Sequence, residues 1–252
     1  MDTKLKNKVA IVTGASKGIG AGIAKALGLS GATVVINYAS GKNDADQVVS
    51  EIQSKGGKAL AVQADMSKSA DVRRLFDTAK TEFGSIDILV NNAGLAIFEM
   101  IEDLTEEAFH KQFNLNVLGY MLAAQQALKH MDKKGGSIIN ISSILSTDPY
   151  LASSVYSATK GAVDTITLAL ARELGPNKIR VNSILPGHTN TPATAGNFDG
   201  DLGDKLIAGT PLGRFGEPED IAPLAVFLAS DDAHWITGES IRASGGVRGV
   251  GY

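Results

Sequence analysis

The chain of 252 residues has no cysteine, only 7 prolines and 6% aromatic residues. It also has no block of basic residues, and no apolar run approaches the ~18 residues of a membrane-spanning helix. The lack of cysteine excludes disulfides, iron–sulfur clusters, thiolate zinc sites and cysteine nucleophiles, and it fits a reducing compartment. The other absences argue against a nucleic-acid partner and against a membrane partner. The first residues show no secretory signal pattern, so we expect a cytoplasmic protein.

Glycine, in contrast, is abundant. The chain holds 28 glycines, which is ~11% of the sequence where ~7% is usual. They follow no G-X-Y period, so a collagen-like chain is excluded. The 24 basic and 27 acidic residues are spread along the chain and give a net charge of −3. This composition indicates a globular domain in which some backbone positions have no room for a Cβ.

Short runs rich in β-branched residues alternate with longer helical patterns along the chain. Near-continuous apolar runs are typical of parallel strands covered on both faces, and their alternation with helices indicates a doubly wound parallel sheet. No repeat or linker divides the chain, so we predict one α/β domain over residues 1–252. The predicted strands are Val9–Thr13, Thr33–Asn37, Ala59–Gln63, Ile86–Asn91, Ser137–Ser142, Arg180–Leu185 and Ser240–Ala243; helices include Asp44–Lys55, Ala70–Phe83 and Ser154–Leu174; Pro186–Leu212 is predicted as a long loop with one short helix.

Small, polar or glycine residues follow six of the predicted strands. In open α/β sheets, ligands bind beyond the carboxyl ends of the strands, so we expect these residues to form one ligand-binding rim. Turn requirements explain many of them singly but explain the whole set poorly. In chain order they are Thr13–Gly20, Asn37–Ser40, Asp65-Met66, Asn91–Gly94, Ser142-Ser143 and Pro186-Gly187.

The first of these segments is a glycine-rich loop that opens a predicted helix. Gly14, Gly18 and Gly20 let backbone N–H groups approach a pyrophosphate, and the helix dipole favours an anion there. Their spacing is G-x-x-x-G-x-G rather than the better-known G-x-G-x-x-G. Lys17 lies on the unfavourable side of the helix dipole. A cofactor phosphate beside Lys17 would explain its presence, and a solvated lysine is the alternative.

The end of the second strand carries no acidic residue. An acid at that place would bond the ribose 2′-hydroxyl of NAD and repel a 2′-phosphate. Here Asn37, Tyr38, Ala39 and Ser40 are neutral, with Lys17 as a counter-charge. The chemistry favours NADP(H), while nothing present would reject NAD(H).

Tyr156 and Lys160 are four residues apart, which places both on one face of a predicted helix. A free tyrosine has a pKa of about 10, and a neighbouring ammonium favours the phenolate. An exposed pair cannot lower the pKa enough for proton exchange at neutral pH, so we expect a desolvated site and a positive nicotinamide to contribute. By itself this pattern also fits a surface helix pair. The hydroxyl of Ser143 can hold a carbonyl oxygen on which charge develops.

Together these motifs resemble the short-chain dehydrogenase/reductase family over essentially the whole chain. The resemblance implies a Rossmann-like sheet of seven strands and a catalytic tetrad of Asn116, Ser143, Tyr156 and Lys160, with Asn114 as the less favoured asparagine. It makes Tyr156 the general acid for reduction and, as phenolate, the general base for oxidation. It also implies that Lys160 lowers the pKa of Tyr156 and bonds the nicotinamide ribose, that Ser143 positions the carbonyl, and that Asn116 supports a water relay.

The resemblance further implies the residues that contact the cofactor and the substrate. The cofactor residues would be Gly14, Ser16, Lys17, Gly18, Ile19, Gly20, Asn37, Tyr38, Ala39, Ser40, Asp65, Met66, Asn92, Ala93, Gly94, Tyr156, Lys160, Pro186, Gly187, Thr189 and Thr191. By position, the substrate pocket would hold Leu95, Ile144, Leu145, Leu151, Ser153, His188 and Leu202, with residues 188–212 as a substrate loop. For His188, a solvent-facing loop position is the alternative. The four histidines are scattered, so no metal site is expected.

A mainly apolar pocket without an Arg or Lys pair favours a medium-sized ketone or aldehyde. The first hypothesis is therefore an NADP(H)-preferring carbonyl reductase or secondary alcohol dehydrogenase. The alternatives are a 3-oxoacyl-carrier-protein reductase, a glucose-type sugar dehydrogenase and a non-catalytic dinucleotide sensor. The family also implies a homotetramer, paired through Glu106–His130 and Ser154–Leu174. One departure is Ser244, since the family usually has Asp-Gly-Gly where this chain has Ser244-Gly245-Gly246.

Overall fold

A computed structural model describes residues 3–196 and 200–248. Seven parallel strands form one sheet in the order β3-β2-β1-β4-β5-β6-β7. This confirms the predicted single-domain, doubly wound seven-stranded fold, and each strand lies within two residues of its predicted bounds. The strands are β1 Val9–Val12, β2 Thr33–Tyr38, β3 Lys58–Gln63, β4 Ile88–Asn91, β5 Gly136–Ile141, β6 Ile179–Pro186 and β7 Ser240–Ala243.

Eight α-helices accompany the sheet in the described residues. They are α1 Gly18–Leu29, α2 Lys42–Ser54, α3 Ser69–Phe83, α4 Glu106–Phe113, α5 Gly119–His130, α6 Ser154–Leu174, α7 Asp201–Ala208 and α8 Pro218–Ala229. Helix α7 is the short helix predicted in the long loop after β6, and residues 197–199 of that loop lie outside the described residues. None of the described helices is both long and apolar enough to cross a membrane.

The two faces of the sheet carry two separate apolar cores. Successive side chains of a strand point to opposite faces, so Val12 of β1 packs with α1, α2 and α8, while Ile11 packs with α3, α5 and α6. Both residues are fully buried. Helices cover both faces, which explains why the strands have near-continuous apolar runs rather than an alternating pattern.

The segment Glu106–His130 differs from the single helix that the sequence suggests. A π-helical turn at Asn114–Leu118 separates α4 from α5. Asn116 lies in this wide turn and is fully buried. At its end, a Cβ on Gly119 would lie 2.7 Å from the carbonyl oxygen of Met66, so only glycine lets the helix pass the end of β3 so closely. Such turns often occur at functional sites.

A buried polar ladder fixes α6 against the middle of the sheet. The side-chain amide of Asn91 in β4 donates to Asn140 Oδ1 in β5, at 2.9 Å. The amide of Asn140 donates in turn to Thr167 Oγ1 in α6, at 2.9 Å. All three side chains are buried, so each depends on its protein partner for hydrogen bonding.

We expect Asn140→Ala to lower the free energy of unfolding by about 2–3 kcal/mol, because it leaves the Asn91 and Thr167 groups without their shared partner. Urea denaturation followed by far-UV circular dichroism at fixed protein concentration measures the change. Asn43→Ala, at an exposed position of α2, is the matched control and should change stability by less than about 0.5 kcal/mol. An equally small effect of Asn140→Ala would show that the ladder does not hold α6.

Candidate active site

The glycine-rich loop connects β1 to α1 and has the conformation that its sequence suggests. Gly14 and Gly18 both have positive φ angles, of 60° and 57°. A Cβ on Gly14 would lie 2.8 Å from the Cα of Ala93, and one on Gly20 would lie 2.4 Å from Asn92 Nδ2. The loop therefore forms a cradle without Cβ atoms at the N-terminus of a helix, which fits a dinucleotide pyrophosphate.

Hydrogen bonds join this loop to the end of β4. Thr13 Oγ1 accepts from the backbone N–H groups of Asn92 and Ala93, at 2.9 and 3.0 Å. The side-chain amide of Asn92 donates to the carbonyl oxygens of Thr13 and Gly14, at 2.9 and 3.0 Å. The structure thus brings the segment Asn92–Gly94 against the glycine loop, at the point where the strand order reverses.

Asn37 has a different place from the one that its sequence position suggests. Its side chain is buried, and Oδ1 accepts from the backbone N–H of Gly14 at 3.1 Å. Its amide donates to the carbonyl oxygen of Ala64 at 3.0 Å. Asn37 therefore supports the glycine loop from within, and its side chain is not available to a ribose or phosphate. Tyr38 is also buried, and only Ala39 and Ser40 are exposed at this end of β2.

Lys17 lies beside an acid that inspection of the β2 end did not reveal. Lys17 Nζ is 3.8 Å from Asp44 Oδ2, which lies in the first turn of α2. A Cβ on Gly41 would lie 3.0 Å from Asp44 Oδ2 and 3.4 Å from Ser16 Oγ. Ser16, Lys17 and Asp44 therefore share one corner beyond β2. In the sequence, the only sign of this acid was its position: α2 begins at Lys42, so Asp44 lies in the first helical turn after the end of β2.

The end of β3 supplies two further predicted cofactor residues. Met66 is buried, and its carbonyl oxygen faces Gly119. Asp65 is half-buried, and its Oδ1 accepts from the backbone N–H and the hydroxyl of Ser67, at 2.9 and 2.7 Å. Both residues lie on the same rim as the glycine loop.

Asn116, from the π turn, ties the loop after β4 to α6. Its Oδ1 accepts from the backbone N–H of Leu95 at 2.9 Å. Its amide donates to the carbonyl oxygen of Leu95 at 2.8 Å and to Thr159 Oγ1 at 3.1 Å. Thr159 immediately precedes Lys160, so Asn116 is linked to the lysine through the helix.

Lys160 is buried and directs its ammonium group to the end of β5. Nζ donates to the carbonyl oxygen of Ile141 at 2.7 Å. The same nitrogen lies 5.7 Å from the centroid of the Tyr156 ring and 5.4 Å from that of Tyr120. Burial lowers the pKa of Lys160 to about 8, against an opposing effect of Asp164.

The pKa of Tyr156 departs from the expectation that desolvation favours the phenolate. Burial raises the pKa of Tyr156 to about 12, and a hydrogen bond with Ser143 opposes this rise. Desolvation disfavours the charged form of either group, so it raises the pKa of the phenol while it lowers that of the ammonium. Tyr156 is therefore protonated at neutral pH, with the hydroxyl of Ser143 beside it.

The loop after β6 packs between the end of β7 and the glycine loop. A Cβ on Gly187 would lie 2.8 Å from the Cα of Ser244, so the loop packs tightly on the residue that follows β7. Thr189 Oγ1 donates to the carbonyl oxygen of Gly187 at 3.0 Å. A Cβ on Gly18 would lie 3.3 Å from Thr191 Cβ. The segment after Pro186 thus reaches the glycine loop.

The predicted substrate residues separate into buried and exposed groups. Ile144 is buried in a small apolar cluster with Leu145, and Ser153 is fully buried, with its hydroxyl donating to the carbonyl oxygen of Tyr150. Ile144 and Ser153 are thus packed within the chain, and their place in a substrate pocket stays a prediction. Leu95 and His188 are half-buried, while Leu151 and Leu202 are exposed.

Aromatic residues that sequence reasoning missed lie against two of the predicted site residues, Tyr156 and His188. The exposed ring of Phe98 lies 5.8 Å from that of Tyr156 between centroids, with a tilt of 57°. Tyr150 stacks on His188 at 5.6 Å, its hydroxyl bonds to Nε2 of His188, and Phe215 packs edge-on against the same imidazole. Aromatic residues are scarce in this chain, so Phe98 and Tyr150 between the motifs were the available signal.

Comparisons with known proteins agree with this geometry. A family model described as enoyl-(acyl carrier protein) reductase matches residues 14–248. An uncharacterized oxidoreductase of Methylorubrum extorquens is 55% identical over 248 residues, which cover 98% of this chain and 100% of that protein. Versicolorin reductase of Emericella nidulans is 39% identical over 255 residues, covering 97% of each chain. A short-chain dehydrogenase from Burkholderia cenocepacia, solved in complex with NADP, has a TM-score of 0.92 at 37% identity and covers 97% of this chain and 99% of that one.

The similarity to these proteins extends over nearly the whole chain. The matched region contains all four residues of the implied tetrad. The chain therefore belongs to the short-chain dehydrogenase/reductase family and is an NAD(P)-dependent oxidoreductase.

Proposed function

We propose that this chain is an NADPH-preferring carbonyl reductase that also acts on secondary alcohols in the reverse direction. The observation that carries the proposal is the group formed by buried Ser143, half-buried Tyr156 and buried Lys160 near the end of β5, beside a glycine loop that fits a dinucleotide. The NADP complex of the Burkholderia cenocepacia relative and the position of Lys17 support the cofactor preference. NAD(H) remains compatible with the fold.

The bound nicotinamide supplies the hydride in such a reaction. The chain itself manages the proton and the geometry. Tyr156 keeps its proton at neutral pH because burial raises its pKa, so it is ready to donate to a carbonyl oxygen that gains charge. The hydroxyl of Ser143 binds the same oxygen, and the ammonium group of Lys160 favours the phenolate that remains. Asn116 holds the loop at Leu95 and the helix at Thr159 in register.

The substrate side supports an uncharged, medium-sized ketone. Leu145, Phe98 and the stacked Tyr150–His188 pair give this side an apolar and aromatic character. We assign residues 188–212 as the substrate loop, which contains α7. The alternatives are a carrier-protein substrate, a sugar substrate and a non-catalytic sensor. The kinetic experiment described next distinguishes them from the ketone. The cytoplasmic location stays a prediction.

Steady-state kinetics over a panel of ketones, with a 3-oxoacyl thioester and glucose included, tests the proposal. We expect ketone reduction with NADPH at a higher kcat/KM than with NADH. Tyr156→Phe should lower kcat by about 10²–10⁴-fold, because the general acid is lost. The dissociation constant of NADPH should change by less than about threefold, since the glycine loop is untouched.

The control is Ser54→Ala, which removes an exposed hydroxyl at the end of α2 and should leave kcat unchanged. Wild-type turnover by Tyr156→Phe would contradict the proposed mechanism. A more than about tenfold advantage for NADH would contradict the role given to Lys17. If the protein turned over only glucose or only the thioester, the proposed ketone substrate would be wrong and that compound would be the substrate class.

The buried ammonium group of Lys160 predicts a specific pH dependence of stability. The pKa of Lys160 is about 8 in the folded chain and 10.5 ordinarily. Below pH 8 the group is charged in both states, so burying it costs the full amount. Between pH 8 and 10.5 the unfolded chain binds a proton that the folded chain has released, so stability rises with pH, and above 10.5 the cost is gone.

Lys160→Met should therefore raise the free energy of unfolding by about 1–3 kcal/mol at pH 7 and abolish turnover. The gain should vanish near pH 10.5. Urea denaturation at both pH values measures it, and the exposed Lys55→Met is the control, with a change below about 0.5 kcal/mol at either pH. A loss of stability in Lys160→Met at pH 7 would show that the bond to Ile141 outweighs the cost of burial.

We also propose a homotetramer, as the sequence resemblance implies. Large apolar side chains are exposed along α4 to α6, where they would need a partner: Phe109, Leu118, Met121, Leu128 and Leu168. The small residues Ala123, Ala124 and Ala127 of α5 are buried within the chain. The exposed row on the outer side is therefore what a second copy would contact.

Light scattering after size exclusion should give about four times the chain mass of 26.2 kDa. The double substitution Met121→Glu and Leu128→Glu should reduce this mass to that of a dimer or monomer, because it places charges in the contact. Leu29→Glu, on α1, should leave the mass unchanged. A wild-type monomer would contradict the proposed assembly.

A further inference from the structure

The corner beyond β2 contains one basic and one acidic side chain from different elements. Lys17 comes from the glycine loop and Asp44 from the first turn of α2, with 3.8 Å between Nζ and Oδ2. Both are largely open to solvent, at 58% and 53% exposure. An exposed pair of this kind adds little to stability and is easily separated. Both groups are therefore accessible to a ligand.

The same corner is where the adenosine ribose of a bound dinucleotide would lie. The residue at the end of the second strand contacts the ribose 2′ position in this class of fold. In this chain Ala39 and Ser40 are the exposed residues there, and the next residue, Gly41, would meet both Ser16 Oγ and Asp44 Oδ2 if it carried a Cβ. Asp44 thus brings to this corner the negative charge that the end of β2 lacks.

Lys17 and Asp44 have opposite effects on a 2′-phosphate. A phosphate monoester carries about −1.5 to −2 charges at neutral pH, so it attracts Lys17 and is repelled by the carboxylate that already pairs with it. A 2′-hydroxyl carries no charge and can donate a hydrogen bond to the same carboxylate. If the Asp44 carboxylate and the 2′-phosphate are about 6 Å apart in water, their repulsion corresponds to about a tenfold loss in affinity. Salt screens this repulsion and makes the loss smaller.

We propose that Asp44 is a specificity-determining residue that weakens binding of the 2′-phosphorylated cofactor and so narrows the preference for NADPH over NADH. This inference rests on the proposed NADPH-dependent function and adds a residue to it. The acid acts by competing with the phosphate for Lys17, not by contact with the reacting atoms. Lys42 begins α2 beside this corner, and its ammonium group pairs with Asp46 one turn farther along the helix.

Titration calorimetry with Asp44→Asn tests the inference without reference to turnover. The ligands are NADPH, NADH, 2′,5′-ADP and AMP, at about 20 and 200 mM salt. We expect the dissociation constants of NADPH and 2′,5′-ADP to fall about three- to tenfold at low salt and less at high salt. The constants for NADH and AMP should change less than about twofold, because these ligands carry no 2′-phosphate and the asparagine side chain keeps an oxygen that can accept from the 2′-hydroxyl.

The matched control is Glu51→Gln. Glu51 pairs with Lys25 at 2.6 Å, so this variant also removes one acid that links α2 to α1, but two turns farther along the helix. It should leave all four dissociation constants within about twofold. The double variant Lys17→Met/Asp44→Asn completes a double-mutant cycle. Asp44→Asn should improve the binding of 2′,5′-ADP less in the Lys17→Met background than in the wild-type background.

Two results would overturn the inference: unchanged NADPH affinity in Asp44→Asn, or an equal gain in Glu51→Gln, which would indicate a general effect of net charge. A failure of the proposed function looks different. If wild-type protein bound neither cofactor or reduced no ketone, that function would be wrong whatever Asp44→Asn did. If it bound both and reduced ketones while Asp44→Asn had no effect, only the role of Asp44 would be wrong.

Discussion

The site depends on the hydrogen bonds that join the ends of β1 and β4. At these two neighbouring strands the order of strand addition reverses. Strands β1 to β3 extend the sheet to one edge, and strands β4 to β7 extend it to the other. Thr13 and Asn92 close the seam with side-chain and backbone bonds. The other parts of the site lie on either side of these bonded strand ends. The glycine loop lies on one side, and the ends of β5 and β6 with α6 lie on the other.

The side of this seam that holds Tyr156 and Lys160 is chemically unfavourable to bury. An ammonium group and a phenol are both withdrawn from water beside each other, and their pKa values move towards the neutral forms. The fold tolerates them because Lys160 has a carbonyl partner in Ile141, and because the Asn91–Asn140–Thr167 ladder holds α6 in place. Burying these two groups lowers the stability of the fold, and such a cost in stability is common at functional sites.

Much of this arrangement could be predicted from local patterns. Apolar runs located all seven strands, and the spacing of Tyr156 and Lys160 located one face of α6 correctly. The side chain of Asn37 could not be placed, because its neutral amide suits either a ribose or the backbone of Gly14, and only the packing of β2 against β3 decides between them. The aromatic ring of Phe98 and the carboxylate of Asp44 escaped notice because neither belongs to a strand-end motif.

The sequence by itself determined the order of elements, the parallel sheet, the family and the residue types at the strand ends, because periodicity and glycine placement are local properties of the chain. Only the tertiary structure decided which of those side chains are free to meet a ligand. It turned Asn37, Ile144 and Ser153 inward, opened Leu151 to solvent, and placed Asp44 beside Lys17. Burial and charge proximity arise between segments that are distant along the chain, so no single segment carries that information.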